Sequence, residues 1–362
     1  MIVFVFEALN WLILKDVVSK GRVQVMGINL IDVANYCNVS SATVSMVVNG
    51  KTERISDATT QKVLEAVKVL GYVPNMAARS MMTRQTKTIG LIIPDISDYF
   101  FSELAKGIGD EADRMNYDLI LGNTNGSLAK EQEYIRVFQG RLVDGIIFSP
   151  LNTGEENDQF AVLQAKKYPF VTIERYLAEL EVPSVIMNNF QGAFDLATHM
   201  TSLGHRHIAF ITGPMAAESS KQRLAGYKSA LSNVHIPYDP SLVFEGNFFY
   251  ESGVKAGEDF FSLGRTDVTA VLASNNTMAL GFYEVAESRG YSIPKDLSLA
   301  GIGGARFCPV LRPKITTIDM PIYEIGKSAA QMLFKLIKGK PLKEKKKVFD
   351  LKLLEQGSVA QI

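Results

Sequence analysis

Residues 30–49 read LIDVANYCNVSSATVSMVVN, two short helical patterns on either side of a corner. Ile31, Val33, Ala34, Val39, Val44, Val47 and Val48 recur at spacings that put them on facing helix sides and predict a small apolar core. Asn38 falls at the corner, where the chain needs a left-handed backbone that Asn tolerates better than most residues. Ser40 then fits as N-cap of the second helix, its hydroxyl free to meet an early helical N–H. Outside its valine stripe that helix shows Ser41, Ala42, Thr43, Ser45, Met46 and Asn49, and carries no acid. Small polar side chains without a carboxylate suit a helix lying in a DNA major groove. On these residues alone, an ordinary helical hairpin is an equal reading.

Downstream, Ser56 predicts the N-cap of a third helix running to about Leu70, with Val63, Val67 and Leu70 closing a three-helix core and Gly71 ending it at C′. Tyr72-Val73-Pro74-Asn75 reads as an extended linker, because Pro74 disfavours helix just before it. Asn75 can cap one more helix, MAARSMM, which is too short to stand alone and folds only against a partner: its own copy, DNA, or both. From Met26 to Thr88 seven Lys and Arg (Lys51, Arg54, Lys62, Lys68, Arg79, Arg84, Lys87) face four acids (Asp32, Glu53, Asp57, Glu65), a local excess of three. The whole chain balances at 38 against 38, so only this module suits a polyanion.

Beyond Thr88 the texture changes. Apolar runs predict buried strands at Ile89–Ile93, Leu119–Gly122, Gly145–Phe148, Phe170–Ile173, Ile208–Thr212, Ala270–Ala273 and Leu297–Ile302. Amphipathic helices alternate with them, for example Phe101–Arg114, Glu131–Gln139, Phe190–Ser202 and Met278–Ser288. Such alternation implies parallel sheets covered by helices on both faces, and its length implies two doubly wound subdomains. Ligands of such folds bind beyond the carboxyl ends of the strands, here in a cleft between subdomains. The strand-end loops offer Phe100 and Phe101, Glu174-Arg175, Arg223 in SKQRLAGY, and Asn275-Asn276: aromatic, guanidinium and amide groups suited to a polar small molecule.

Enzyme chemistry finds little support. Gly107-Ile108-Gly109-Asp110-Glu111-Ala112 matches a dinucleotide fingerprint in letters only, because it follows a helical pattern rather than a strand. There is no Walker lysine, no G-x-S-x-G and no metal-ligand spacing. His205 and His207 read as a helix end rather than a ligand pair, and nothing calls for a cofactor or a metal. Cys37 and Cys308 lie too far apart in sequence to suggest a disulfide framework and point to a reducing cytoplasm. The opening MIVFVFEALNWLIL is too short to span a bilayer and lacks the form of a signal peptide. Residues 1–25 are expected to reflect a mis-assigned start ahead of Met26 or a disordered extension, the alternative being a membrane-associating or dimer-capping arm. The lysine-rich KLIKGKPLKEKKK, Lys335–Lys347, reads as a solvated loop, with phosphoprotein docking as the sharper alternative.

IDVANYCNVSSATVSMVVNG followed by VLEAVKVLGYVPNMAARSMMT resembles the DNA-binding head and hinge of lac-repressor-type (LacI/GalR) transcriptional regulators. TKTIGLIIPDISDYFFSELAKGI, LVDGIIF, LGHRHIAFITGP, RLAGY, MALGFYEVAESRGYSIPKDLSLAGI and RPKITTID resemble the effector domain of that family, itself similar to periplasmic sugar-binding proteins. The resemblance runs in order from about Met26 to the C-terminus. It implies an N-terminal all-α helix-turn-helix head plus hinge helix, then an α/β periplasmic-binding-protein-like core of two doubly wound parallel-sheet subdomains. The implied boundaries are 26–74 for the head, 75–86 for hinge helix and linker, and 87–362 for the effector-binding and dimerisation domain. Within the last, the N-subdomain takes about 87–187 and 319–348, the C-subdomain about 188–317 and 349–362, with crossings near Met187, Thr317 and Val348.

The resemblance further implies a homodimer on a palindromic operator, most simply a repressor, controlled by a sugar, sugar phosphate or similar effector. Ser41, Ala42, Ser45, Met46 and Asn49 match positions that face the major groove, and Asn29, Ser40, Thr43, Thr59, Tyr72 and Asn75 match positions against the backbone. Leu30 and Ala78 join the DNA-facing set, and Met81 matches the apolar wedge between central base pairs. In the cleft the carry-over names Phe100, Phe101, Glu174, Arg175, Arg223 and Asn275. Three departures stand out. Met46 occupies a usual Arg position, which removes a bidentate base contact and implies a non-standard operator. Met81 replaces Leu. Gly303, in GIGG, replaces the Asp of G-F-D-D that accepts hydrogen bonds from sugar hydroxyls or a purine, and Arg306 with Arg175 and Arg223 would then favour an anionic ligand. The lost Asp also admits an alternative, a regulator of the same fold whose degenerate cleft yields control to a protein partner.

Overall fold

A computed structural model describes residues 28–73, 85–140, 143–150, 158–174, 181–304 and 311–362. Its contacts divide the chain after Arg84 into two compact units. Expectations that fall on the N-terminal extension, Asn75, Ala78, Met81, Arg175, Arg306 and Cys308 lie outside the described residues.

Among its described residues the first unit holds three helices: α1 (Leu30–Cys37), α2 (Ser41–Val48) and α3 (Asp57–Leu70). Asn29 caps α1 reciprocally: its Oδ1 accepts from Ile31 and Asp32 N–H groups while Asp32 Oδ2 accepts from the Asn29 N–H at 2.8 Å. Asn38 turns the corner at φ 52°, ψ 47°, the left-handed conformation predicted for it. Ser40 and Ser56 cap α2 and α3 through the N–H groups of Thr43 and Thr59, and Gly71 ends α3 at φ 62°. The core differs from expectation at one place. Ile31 is 62% exposed, and Cys37, whose thiol reaches Lys62 O, packs with Val33, Ala34, Val44, Val47, Val63, Ala66 and Tyr72 instead. Counted from Leu30, the i+3, i+4 and i+7 positions fall inward at Val33, Ala34 and Cys37, leaving Ile31 on the outer side.

The second unit is two six-stranded sheets. The first comprises β1 (Thr88–Ile93), β2 (Asp118–Asn123), β3 (Gly145–Phe148), β4 (Phe170–Ile173), β5 (Ser184–Met187) and the late strand Lys346–Phe349, in the order β2-β1-β3-β4-β5 then the late strand, all parallel. The helices among these strands are α4 (Tyr99–Arg114), α5 (Leu128–Gly140) and α6 (Asp158–Ala165). After β5 come α7 (Asn189–Ser202), β6 (Ile208–Thr212), α8 (Glu218–Asn233), β7 (Val243–Glu245), α9 (Tyr250–Ser262), β8 (Ala270–Ala273), α10 (Asn276–Ser288), β9 (Ser298–Ile302) and β10 (Thr316–Asp319). The chain then returns through α11 (Ile322–Ile337) to the late strand, β11, and ends with β12 (Lys352–Leu354). The second sheet runs β7-β6-β8-β9-β10-β12, and β12 pairs antiparallel to β10, so the expectation of purely parallel sheets needs that one correction. The remaining pairs in it are parallel.

Central strands such as GIIF, IAFIT and AVLA are buried at every residue, as strands covered on both faces must be. Helices α4 and α11 cover one face of the first sheet, α7 and α8 one face of the second, and α9 with α10 its other face. Lys335–Lys347 is not one solvated loop: its ends belong to α11 and to β11. Exposed lysines on an edge strand discourage pairing with another chain, which gives Lys346 and Lys347 a structural reason. Among the described residues no helix is long and apolar enough to cross a membrane, and no group of His, Cys, Asp or Glu is placed to hold a metal.

Candidate functional site

On the head, α2 turns an acid-free face outward. Ser41, Ala42, Met46 and Asn49 are exposed and Thr43 and Ser45 partly so; Met46 is 37% exposed. The Ser40 and Thr43 hydroxyls share a 2.8 Å hydrogen bond, and Asn49 Nδ2 reaches back to Ser45 O at 2.6 Å. Asn29 is exposed, and Leu30 and Thr59 partly so. Tyr72 departs from the set: it is 8% exposed and its ring belongs to the head core, so its packing role is at least as strong as any outward one.

In the second unit, the carboxyl ends of seven strands supply the lining of one cavity of about 640 Å³, open mouth included. Asp98, Tyr99, Phe100 and Phe101 enter from the turn after β1 and the start of α4, where Asp98 caps the helix through the Phe100 N–H at 2.7 Å. Phe100 and Phe101 meet edge to face at 5.0 Å. Glu174 follows β4 at φ 66°. Ser219 and Arg223 come from α8, Phe248 from beyond β7, Asn275 to Thr277 from the start of α10, Ile302 to Gly304 from the end of β9, and Met320 and Ile322 from beyond β10.

The polar centre is a buried relay. Arg223 is 6% exposed; its Nε donates to Asn189 Oδ1 at 2.8 Å and its Nη1 to Ser274 O at 2.6 Å, beneath the Phe248 ring. Asn189 Nδ2 in turn donates to Glu174 Oε2 at 3.1 Å. One amide therefore stands between carboxylate and guanidinium, joining β4 of the first sheet to α7 and α8 of the second. Among the described residues Glu174 Oε1 is buried with no hydrogen-bond partner, as are the Ser220 and Ser274 hydroxyls. Burial pushes the Glu174 carboxyl above the ordinary carboxylate range, against the opposing pull of Arg223, Asn189 and the Met187 backbone. Asp98 is raised in the same way, first by burial and then by Asp95, against the Phe100 N–H and Arg223. Arg223 is lowered by burial, with Glu174 and Asp98 resisting.

Of the residues named from sequence for the cleft, Phe100, Phe101, Glu174, Arg223 and Asn275 all line this cavity. Asn275 has its amide committed: Oδ1 accepts from Met278 N–H and Nδ2 donates to Phe248 O, both at 2.8 Å, so it pins the Phe248 loop to α10. Asp98, Ser219, Phe248 and Met320 were not named, and Asn276 was named beside Asn275 without entering the final set. Asp98 sat in the quoted segment after the first strand, a usable signal; Phe248 follows a strand of only three residues, which left none.

Residues 29–75 match bacterial regulatory proteins of the lacI family, and residues 197–359 match the periplasmic binding protein-like domain. Catabolite control protein A of Priestia megaterium is 36% identical over 311 residues, covering 86% of this chain and 92% of that protein. The chain belongs to the lacI family. A lac repressor dimer bound to operator and the anti-inducer ONPF superposes on this lacI-family chain with a TM-score of 0.81 at 25% identity, covering 92% and 99% of the two chains. A complex of the transcriptional regulator CelR with cellobiose gives 0.69 at 28%, covering 91% and 99%. The resemblance read from the motifs holds, and so does the fold class. This lacI-family protein is a DNA-binding transcriptional regulator, from a family of regulators rather than enzymes.

Proposed function

We propose that this regulator represses transcription as a homodimer on a palindromic operator, and that a small sugar-like ligand in the cleft sets its affinity for DNA. Ser41, Ala42, Ser45, Met46 and Asn49 read bases, Asn29, Ser40, Thr43 and Thr59 steady the head on phosphates, and Asn75, Ala78 and Met81 belong to the hinge that folds on the minor groove. The observation that carries ligand control is the relay Glu174–Asn189–Arg223: it spans the two sheets and still leaves a buried carboxylate oxygen without a partner. A buried unsatisfied group costs about 1–3 kcal/mol unless something supplies its hydrogen bond, which favours a small molecule over a protein partner as the controlling agent. A ligand that closes the two sheets on this relay shifts a pre-existing equilibrium between open and closed lobes.

The test begins with an operator selected from a random duplex library. Sedimentation equilibrium is expected to show a dimer on that duplex, and a sugar that raises the melting temperature of the protein is expected to change operator affinity at least about tenfold. A monomer on DNA, or cleft ligands that leave operator affinity untouched, would refute the reading.

A further inference from the structure

Resting on that reading of the cavity as a ligand site, we infer that Asn276 recognises the ligand at the carboxyl end of β9, and that the ligand is a hydroxylated carboxylic acid, a sugar acid. Asn276 is 5% exposed and lines the cavity at the first position of α10. Its Oδ1 accepts from Thr317 Oγ1 on β10 at 3.1 Å, which fixes the amide with Nδ2 toward Gly303. A Cβ at Gly303 would lie 2.7 Å from that Nδ2, and a Cβ at Gly301 2.3 Å from Oδ1. Glycine at both positions is therefore what lets the amide occupy this strand end. Nδ2 has no acceptor among the described residues, and neither has Nη2 of Arg223, whose Nε and Nη1 are both used.

The first turn of α10 adds to these donors. Asn275 caps the Met278 N–H, so the N–H groups of Asn276 and Thr277 remain outside the helical ladder, at the positive end of a 13-residue helix. The opposite lobe is of the other kind: Asp98 and the unpartnered Glu174 Oε1 are acceptors. The cavity is thus split into a donor side from α8 and α10 and a carboxylate side from β1 and β4. Hydroxyls can donate to the carboxylates and accept from N–H groups, but a neutral hydroxyl is the weaker acceptor for a convergent set of amide and guanidinium donors. A carboxylate takes two such donors at once with charge assistance. A phosphate ester, carrying more charge into a cavity that already holds two carboxyl groups, fits less well.

Calorimetric titration of the full-length protein with D-gluconate, D-galactonate and D-glucuronate, beside D-glucose, D-galactose and glucose 6-phosphate, tests this. At least one acid is expected to bind about tenfold or more tightly than its neutral parent. Asn276→Asp, which keeps the Thr317 contact, is expected to weaken that acid about tenfold or more while the neutral parent changes by less than about threefold. Asn276→Ala provides the same readout if the acidic variant fails to fold. A neutral sugar or the phosphate ester binding as tightly as the acids, no binding by any acid, or unchanged acid affinity in both variants would overturn the assignment. If a neutral sugar binds and shifts operator affinity, the ligand class falls while the switch stands. If an acid binds without moving operator affinity, the switch falls and the ligand class stands.

Discussion

Glu174 and Asp98 carry their protons to higher pH in the folded protein than in the unfolded chain, because burial outweighs the neighbouring donors. For an acid whose folded pKa is raised, the native state binds more protons over that interval, so stability is greatest below the ordinary carboxylate range and falls as pH climbs through it toward the raised values. Glu174→Gln removes one of these groups and keeps a partner for Asn189. Denaturant midpoints measured across the acid range are expected to decline less steeply with rising pH in that variant, and an unchanged or steeper decline would contradict the burial argument. At this scale the sequence was partly legible. Glu174, one residue past a buried strand, and Arg223, within α8 after β6, could be picked out only through the convergence of strand-end segments on one cleft and the resemblance, since each alone reads equally as a cap or a surface residue. Asn275 and Asn276 could not be told apart: one caps α10 and pins a loop, the other meets the cavity, and only the φ, ψ course of the strand-to-helix turn decides which is which.

The helices reach their spacing through glycine. A Cβ at Gly107 of α4 would stand 2.2 Å from Tyr323 O of α11, and one at Gly326 of α11 2.3 Å from Leu104 O of α4, so two backbones touch where neither has a side chain. Helices α9 and α10 repeat the device with Gly253 and Gly281, against Met278 O and Tyr250 O. Gly107→Ala is expected to destabilise by about 1–3 kcal/mol, as overpacking does. Gly109→Ala, two residues on in the same helix with only a Leu119 methyl 3.8 Å away, is expected to stabilise by about 0.5–1 kcal/mol. Paired urea melts check both signs, and destabilisation by both variants would show that helix spacing is not the issue. The dinucleotide-like letters at Gly107–Ala112 thus have a packing explanation inside α4. Among strands, the central apolar runs were legible because both faces are buried. KKVF of β11 and KLL of β12 were not, since an edge strand shows solvent half its residues and borrows its register from a neighbour far along the chain.

For the whole molecule, the two-part division was legible from the change of texture at Thr88, while the threading of the last strands through both sheets came only as an implication of the resemblance, with crossings near Met187, Thr317 and Val348. The head presents an outward face without carboxylates, and its lost charge at Met46 should be measurable. Log–log plots of operator affinity against salt are expected to steepen by about one unit in Met46→Arg if that side chain reaches a phosphate, or to keep their slope while the preferred base changes if it reaches a guanine. Unchanged slope together with unchanged preference would remove position 46 from the contact surface.

One feature of the lobes bears on how they move. β5 leaves the first sheet through the single residue Asn188, β11 leaves it through Asp350 and Leu351, and the two departures are tied by the Asn188 N–H donating to Phe349 O at 3.0 Å. Two strands bonded side by side resist shearing past each other far more than bending together. The third passage, after Asp319, lies one strand-to-helix turn from the cavity and starts where β10 pairs antiparallel with β12, Asp319 opposite Lys352, so it too is laced to the β11 departure. The three passages are therefore bonded side by side from Asn188 to Asp319, a linkage that bends more readily than it shears, so under the proposed ligand control energy delivered at the cleft is channelled into opening and closing instead of being dispersed into twist.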